Sequence, residues 1–238
     1  PSSLHLIVEK LQRFHLKVND HPISTHGLGW HWDKQFGRVD IASFITRGEN
    51  TIELSCAYDL DTEIEDIYLV GDFAVERRGT NQYVLTSELD HLEDGDWTQQ
   101  GYPFYAGNMI YDKEIGVAET GDRKFIVSLI DPHATLFVVT VNGKEAGYIW
   151  KQPWDIDVTD HIKKGHNTLQ IEAVGSLRNT FGPLHHDLGD RLPWTGPAEF
   201  VDQAHWTDQY QVAPYGLLRG AEFKIIRQRT DDPPKSAK

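Results

Sequence analysis

The side chains best suited to chemistry gather in the second half of the chain. They are aromatic rings interleaved with amides, imidazoles and a guanidinium. Tyr148, Trp150 and Trp154 fall in one short stretch, with Pro153 between the two tryptophans. Arg178, Asn179, His185, His186 and Trp194 follow in a long stretch of little periodicity, and Trp97, Tyr102, Tyr105 and Asn108 precede it. Flat rings beside short polar groups suit a ligand with an apolar face and a rim of hydroxyls, as a pyranose has. The ring stacks, and the polar groups pair with the hydroxyls. The carbohydrate-contact set expected from these residues is Trp154, Trp150, Tyr148, Tyr105, Asn108, Arg178, Asn179, His185, His186 and Trp194. The competing use of the same aromatics is to plug the ends of the fold.

Other chemistries find less support. His185-His186-Asp187 with Asp190 offers zinc-type donors, but adjacent ligands on an extended loop point apart and the spaced companion pair of a zinc site is missing. His26 and His31 have the same standing. Glycoside hydrolysis needs two carboxylates at a set separation. With 36 acidic residues some pair always qualifies, so Glu114 and Glu119 beside the aromatic segment carry no information. Neither a G-x-S-x-G nucleophile turn nor a phosphate-cradling glycine loop occurs. The single cysteine, Cys56, excludes an intrachain disulfide and reads as a buried inert thiol in the apolar run TIELSCAY.

A formal charge of −13 argues against a nucleic-acid partner and against an anionic membrane surface. No apolar run approaches the roughly 18 residues a spanning helix needs. A neutral ligand, a cation or plain solubility fits this charge. The abrupt Pro-Ser start and the DDPPKSAK end read as the limits of a segment of a longer protein.

What must position these residues is a set of short strands. Leu4–Val8, Arg13–Asn19, Thr51–Tyr58, Ile64–Val75 and Tyr83–Leu85 read as strands in the first half, while Val39–Phe44 is short and mixed. Lys124–Leu129, Leu136–Val141, Thr168–Val174 and Gly216–Arg227 do so in the second. Residues 21–37, 97–111 and 175–215 read as loops. Asn142-Gly143 is the strongest hairpin signal, since a type I′ turn needs positive φ at both central residues. Gly71 marks a bulge or a close backbone approach. Acidic turns lie at 59–66 and 93–96. No stretch sustains a 3.6-residue apolar period, so the fold class is all-β, of sandwich type.

The strands come as a repeat. FHLKVND…GWHW…VDIASFITRGENTIELS stands against FVVTVNG…GYIW…WDIDVTDHIKKGHNTLQIE, aligning Asn19 with Asn142, Gly29 with Gly147 and Trp32 with Trp150. Asp40, Gly48 and Asn50 align likewise with Asp157, Gly165 and Asn167, and the Asp-to-Gly spacing is eight in both. The expectation is two tandem β-sandwich units related by internal duplication: 1–92, then 93–230 with the long aromatic and histidine loop, then a disordered tail at 231–238. Because Trp150 recurs as Trp32 while Pro153 and Trp154 do not, Trp154 has the best claim to a ligand within its stretch.

The run VNGKEAGYIWKQPWDIDVTDHIKKGHNTLQIEAV resembles the galactose-binding-like, jelly-roll sugar-binding modules of large bacterial glycoside hydrolases. The similarity is to accessory sandwiches of family 2 enzymes and to C-terminal modules of α-L-rhamnosidase-like enzymes. The shared pattern runs through Val141, Asn142, Gly143, Gly147, Trp150, Pro153, Trp154, Asp157, Val158, Thr159, Lys163, Gly165, Asn167 and Leu169, about 40 residues, and is looser in the first half. It implies a galactose-binding-like jelly roll and a non-catalytic accessory module, extracellular or periplasmic, beside the catalytic domain of a parent enzyme. Its ligand would be a plant or algal type polysaccharide or oligosaccharide. Alternatives are a spacer with no ligand and a self-contained glycan hydrolase or lyase. No cofactor is implied, although sandwiches of this type often carry one structural calcium, for which the acidic turns could supply ligands.

Overall fold

In the computed structural model, residues 1–62, 64, 66–189 and 203–227 are described. The chain divides into two compact units, Pro1–Ala74 with Leu85–Asp90, and Val75–Val84 with His91–Lys238. Strands dominate both.

The first unit holds β1 (Leu4–Glu9), β2 (His15–Val18), β3 (His21–Ile23), β4 (Gly29–His31), β5 (Asp33–Asp40), β6 (Ile52–Ser55) and β7 (Tyr68–Gly71). They form two antiparallel sheets, ordered β4-β5-β1-β7 and β3-β2-β6. Leu4, Leu6 and Val8 of β1 and Leu16 and Val18 of β2 alternate inward and meet Leu11, Val39 and Ile41 in one core. That is the sandwich the alternation of FHLKV demands. The strands at 21–23, 29–31 and 33–40 occupy a stretch read as loop, and the strong strand expected over 51–58 is trimmed to Ile52–Ser55. Cys56 consequently lies past a strand end, half-buried rather than buried. Gly71 is a close approach: a Cβ there would sit 2.1 Å from the Ser3 carbonyl oxygen. Beside it, the Asp72 carboxylate accepts from the Ser2 hydroxyl and from the Ser3 N–H at 2.6 Å, bonds that hold its pKa at about 2. A depressed carboxylate stabilises the fold above its unfolded pKa near 3.8, and that support is lost as pH falls through about 2. The Asp72 carboxyl carbon, followed by NMR, should titrate with a midpoint near 2; a midpoint at 3.8 would show that these bonds do not form.

A hairpin of β8 (Ala74–Arg77) and β9 (Tyr83–Thr86) falls where the units divide. The second unit holds β10 (Asn108–Val117), β11 (Arg123–Leu129), β12 (Pro132–His133), β13 (Leu136–Val141), β14 (Lys144–Ile149) and β15 (Asp155–Asp157). Then come β16 (Gly165–Val174), a single helical turn α1 (Arg178–Phe181), β17 (Gly216–Leu217) and β18 (Ala221–Arg227). One sheet runs β10-β16-β13-β14 and the other β15-β11-β18, with a β12-β17 ladder beside them. Phe125 and Val127 of β11, Phe137, Val139 and Val141 of β13, and Leu169, Ile171 and Ala173 of β16 are all buried. Each of the larger side chains, Ala173 apart, contributes about 1.5–3 kcal/mol by leaving water. Asn142 and Gly143 take φ of 52° and 73°, as a two-residue hairpin turn requires. Strand β10, ten residues long, partly occupies the segment 97–111 read as loop.

The two units share one hydrogen-bond device. In the first, the Asn19 amide donates to the Phe44 carbonyl and to Asn50 Oδ1, while Asn50 Nδ2 donates to the Thr46 and Gly48 carbonyls and Oδ1 accepts from the Thr46 N–H. In the second, Asn142 donates to the His161 carbonyl and Asn167 Oδ1, Asn167 Nδ2 donates to Lys163 and Gly165, and Oδ1 accepts from the Lys163 N–H. Asp40 and Asp157 each accept from the N–H two residues on. Strand partners also correspond, with β2 between β3 and β6 as β13 lies between β14 and β16. The pairing of Gly29–Trp32 with Gly147–Trp150 does not hold in this topology. β4 pairs with β5, whereas β14 pairs with β13, so those residues occupy different sheets.

Candidate functional site

The sequence-derived set separates into three places within the second unit. The first is the outer face of the sheet β10-β16-β13-β14. On β13 the residues alternate, with Phe137, Val139 and Val141 buried and Leu136, Val138 and Thr140 turned outward. Register extends this face across the sheet. Ile110 lies opposite Glu172, Glu172 opposite Val138, and Val138 opposite Tyr148. In the next row Asn108 lies opposite Val174 and Val174 opposite Leu136. Since Phe137 pairs with Ile149, the strand continues to Trp150 at the end of this row.

The result is an exposed aromatic platform. Trp150 is 62% exposed, Tyr148 55% and Ile110 58%. The Glu145 carboxylate near Tyr148 holds the phenol pKa above its ordinary value. Asn108 Nδ2 donates to Glu172 Oε1 at 2.6 Å and its Oδ1 accepts from the Gly175 N–H. Tyr105 closes this corner, its hydroxyl donating to the Asn108 carbonyl at 3.2 Å. The Lys151 ammonium lies 4.8 Å from the Trp150 ring centre. Aromatic faces flanked by carboxylate and amide oxygens give stacking plus hydroxyl acceptors.

Trp154 does not join this face. It is half-buried, its carbonyl accepts from the Leu129 N–H at 2.8 Å, and the strand it leads into, β15, belongs to the other sheet. The aromatic pair that shares an exposed face is thus Tyr148 and Trp150. Sequence reasoning missed Ile110, Glu172 and Glu145 as members; the outward phase of β10 and β16 was the available signal.

The second place is an open groove of about 300 Å³ lined by Pro132, His133, Thr135, Arg178, Pro214 and Tyr215 among others. Arg178 reaches it from α1. Asn179 on the same turn is fully buried, and its amide both donates to and accepts from the Ala213 backbone at 2.8 Å. It clamps the returning chain, and a ligand-contact role does not fit that position. Trp97 and Tyr102, from the aromatic segment that precedes the long stretch, are core residues; Trp97 stacks on Tyr215 at 5.4 Å.

The third place is a tight pairing at residues 184–189 and 203–211. His185 stacks on Trp206 at 4.7 Å and its Nδ1 lies 2.9 Å from the Thr207 carbonyl. His186 is buried, with its ring stacked on His205. Burial takes His186 out of the expected contact set. Asp187 pairs with His205 at 2.9 Å. Among the described residues no group of three or more His, Cys, Asp or Glu side chains could hold a metal ion. Trp194 and Asp190 lie outside the described residues, as does the tail at 231–238.

No family model matches the chain. By sequence it is similar to a protein named "Putative beta-glucuronidase" from Formosa agariphila, 23% identical over 188 residues, 70% of this chain and 16% of that protein. The chain therefore spans about a sixth of that curated relative. Among solved structures, a rhamnosidase from Novosphingobium sp. PP1Y aligns at a TM-score of 0.40 with 16% identity, over 93% of this chain and 21% of that one. A Bifidobacterium dentium β-glucuronidase aligns at 0.38 with 16% identity, over 65% and 29%. Among the described residues no helix is long and apolar enough to cross a membrane.

Proposed function

We propose that this chain is a non-catalytic, saccharide-binding module of a larger glycoside hydrolase, working outside the cytoplasm beside a catalytic domain. One observation carries the binding reading: Tyr148 and Trp150 stand exposed on the outer face of one sheet with Asn108, Glu145 and Glu172 around them. The sequence likeness to the Formosa agariphila protein, and the small share of that protein the chain spans, support the setting. The shared Asn19–Asn50 and Asn142–Asn167 device supports descent of the two units from one duplicated sandwich of galactose-binding-like type. The platform is flat and open, so affinity should be modest, with Kd between about 10 μM and 1 mM, or roughly −4 to −7 kcal/mol.

Affinity electrophoresis of the chain against a panel of soluble plant and algal polysaccharides tests this reading. At least one polymer should retard it, and reducing-sugar release from the same polymers should stay at background. Unchanged mobility in every gel would remove the binding role and favour a spacer that only braces its neighbour. Turnover by the isolated chain would instead make it an enzyme.

A further inference from the structure

The charges on the platform select among saccharides. We infer that the outer face of the sheet β10-β16-β13-β14 takes uncharged glycan chains and excludes those bearing uronate or sulfate groups, with Glu145 and Glu172 setting that choice. This inference rests on the platform reading above and deepens it.

Outward positions of β10 are Asn108, Ile110, Asp112 and Glu114; those of β16 opposite them are Val174, Glu172, Gln170 and Thr168. Outward positions of β13 are Leu136, Val138 and Thr140, and Thr140 pairs with Glu145 on β14. Four carboxylates therefore stand on this face: Asp112, Glu114, Glu145 and Glu172. Against them stand Lys151 beside Trp150 and the His166 imidazole, 3.5 Å from Glu114. Glu172 flanks Tyr148 across one intervening strand, and Glu145 stands on the same strand as Tyr148, paired with outward Thr140. A polyanion laid along Tyr148 and Trp150 would bring its charges within a Debye length, about 8 Å at physiological salt, of these carboxylates. The whole chain, at −13, repels it at longer range. An uncharged sugar meets no such barrier, and its hydroxyls can donate to the same carboxylate oxygens, which only accept. A charged polymer loses on both counts, since its own carboxylates bring acceptors to a face already rich in them.

The test compares mobility in gels holding arabinoxylan, galactomannan or hydroxyethylcellulose with gels holding polygalacturonate or alginate, at about 20 mM salt. The wild type should be retarded by at least one neutral polymer and by neither polyanion. The variant combining Glu145→Gln and Glu172→Gln keeps the hydrogen-bond acceptors and removes two charges, and should become measurably retarded by a polyanion that leaves the wild type unretarded. A salt series on the wild type gives a second readout without any variant. Neutral-polymer retardation should hold to 0.5 M NaCl, and polyanion retardation should rise as screening shortens the Debye length. Retardation of the wild type by a polyanion as strong as by a neutral polymer would overturn the selectivity and leave the platform standing. A folded double variant that gains no polyanion binding would overturn the assignment to Glu145 and Glu172. No retardation by any polymer would sink the platform reading itself.

Discussion

Replacing Asn167 by Asp should destabilise the second unit by about 3–5 kcal/mol, because a buried amide that makes four hydrogen bonds becomes an anion facing two carbonyls. Asn167 is 0% exposed. Its Nδ2 donates to the carbonyls of Lys163 at 2.8 Å and Gly165 at 3.1 Å, and its Oδ1 accepts from the Lys163 N–H and the Asn142 amide, both at 2.9 Å. An Asp side chain of the same shape keeps the two acceptor bonds and turns the two donor bonds into oxygen–oxygen repulsion. Asn167→Ala removes the repulsion but strands the same partners, at about 2–4 kcal/mol. Urea unfolding monitored on second-unit amides should rank Asp below Ala below the parent at neutral pH. The Asp deficit should narrow toward Ala on acidification, as protonation restores one donor. The matching Asn50→Asp change in the first unit should cost less, because Asn50 is only half-buried and water can relieve its partners. Equal losses at the two sites would show that burial does not set the cost.

Trp97→Ala should cost about 3–5 kcal/mol, the usual range for deleting a large buried aromatic. The indole is 1% exposed, stacked on Tyr215 at an interplanar angle of 16° and met edge-on by Tyr105. Trp97→Phe should retain much of that packing. It also removes an indole N–H that finds no hydrogen-bond partner among the described residues, so its cost should fall nearer 1–2 kcal/mol. Chemical denaturation of the three proteins gives the order. A Phe variant as damaged as Ala would mean that the full indole volume, which a phenyl ring leaves partly empty, holds this corner together.

These sites show what the sequence carried and what it withheld. Asn142-Gly143 announced its own turn, because few residues tolerate positive φ twice running. The alternation of LFVVTV announced a strand with one buried face. The spacing from Asp to Gly to Asn marked a shared device, and the hydrogen bonds of Asn50 and Asn167 explain why those types stand there. The alignment failed at Trp32 and Trp150, since a local match of G-x-x-W says nothing about which strand pairs with which. Trp154 reads as a ligand contact in the sequence because ring type does not report burial. The platform itself is non-local: Ile110, Glu172, Val138 and Tyr148 are neighbours only through the register of four strands, and no window of sequence contains them. The strands at 21–40 were hidden by glycine and histidine, whose weak strand preference is overridden by pairing, β3 with β2, β4 with β5 and β5 with β1.

The central claim is that the outer face carrying Tyr148 and Trp150 is the saccharide contact. It is tested most directly by affinity electrophoresis of the parent chain beside Trp150→Ala and Trp154→Ala, in a gel containing a polymer that retards the parent. Both variants should first be shown folded by near-ultraviolet circular dichroism. Removing one stacking ring should weaken binding by about 1–3 kcal/mol, or 5- to 150-fold, so Trp150→Ala should run as in an empty gel while Trp154→Ala stays retarded. Full retardation of Trp150→Ala, with loss in Trp154→Ala, would contradict the account and move the contact off this face.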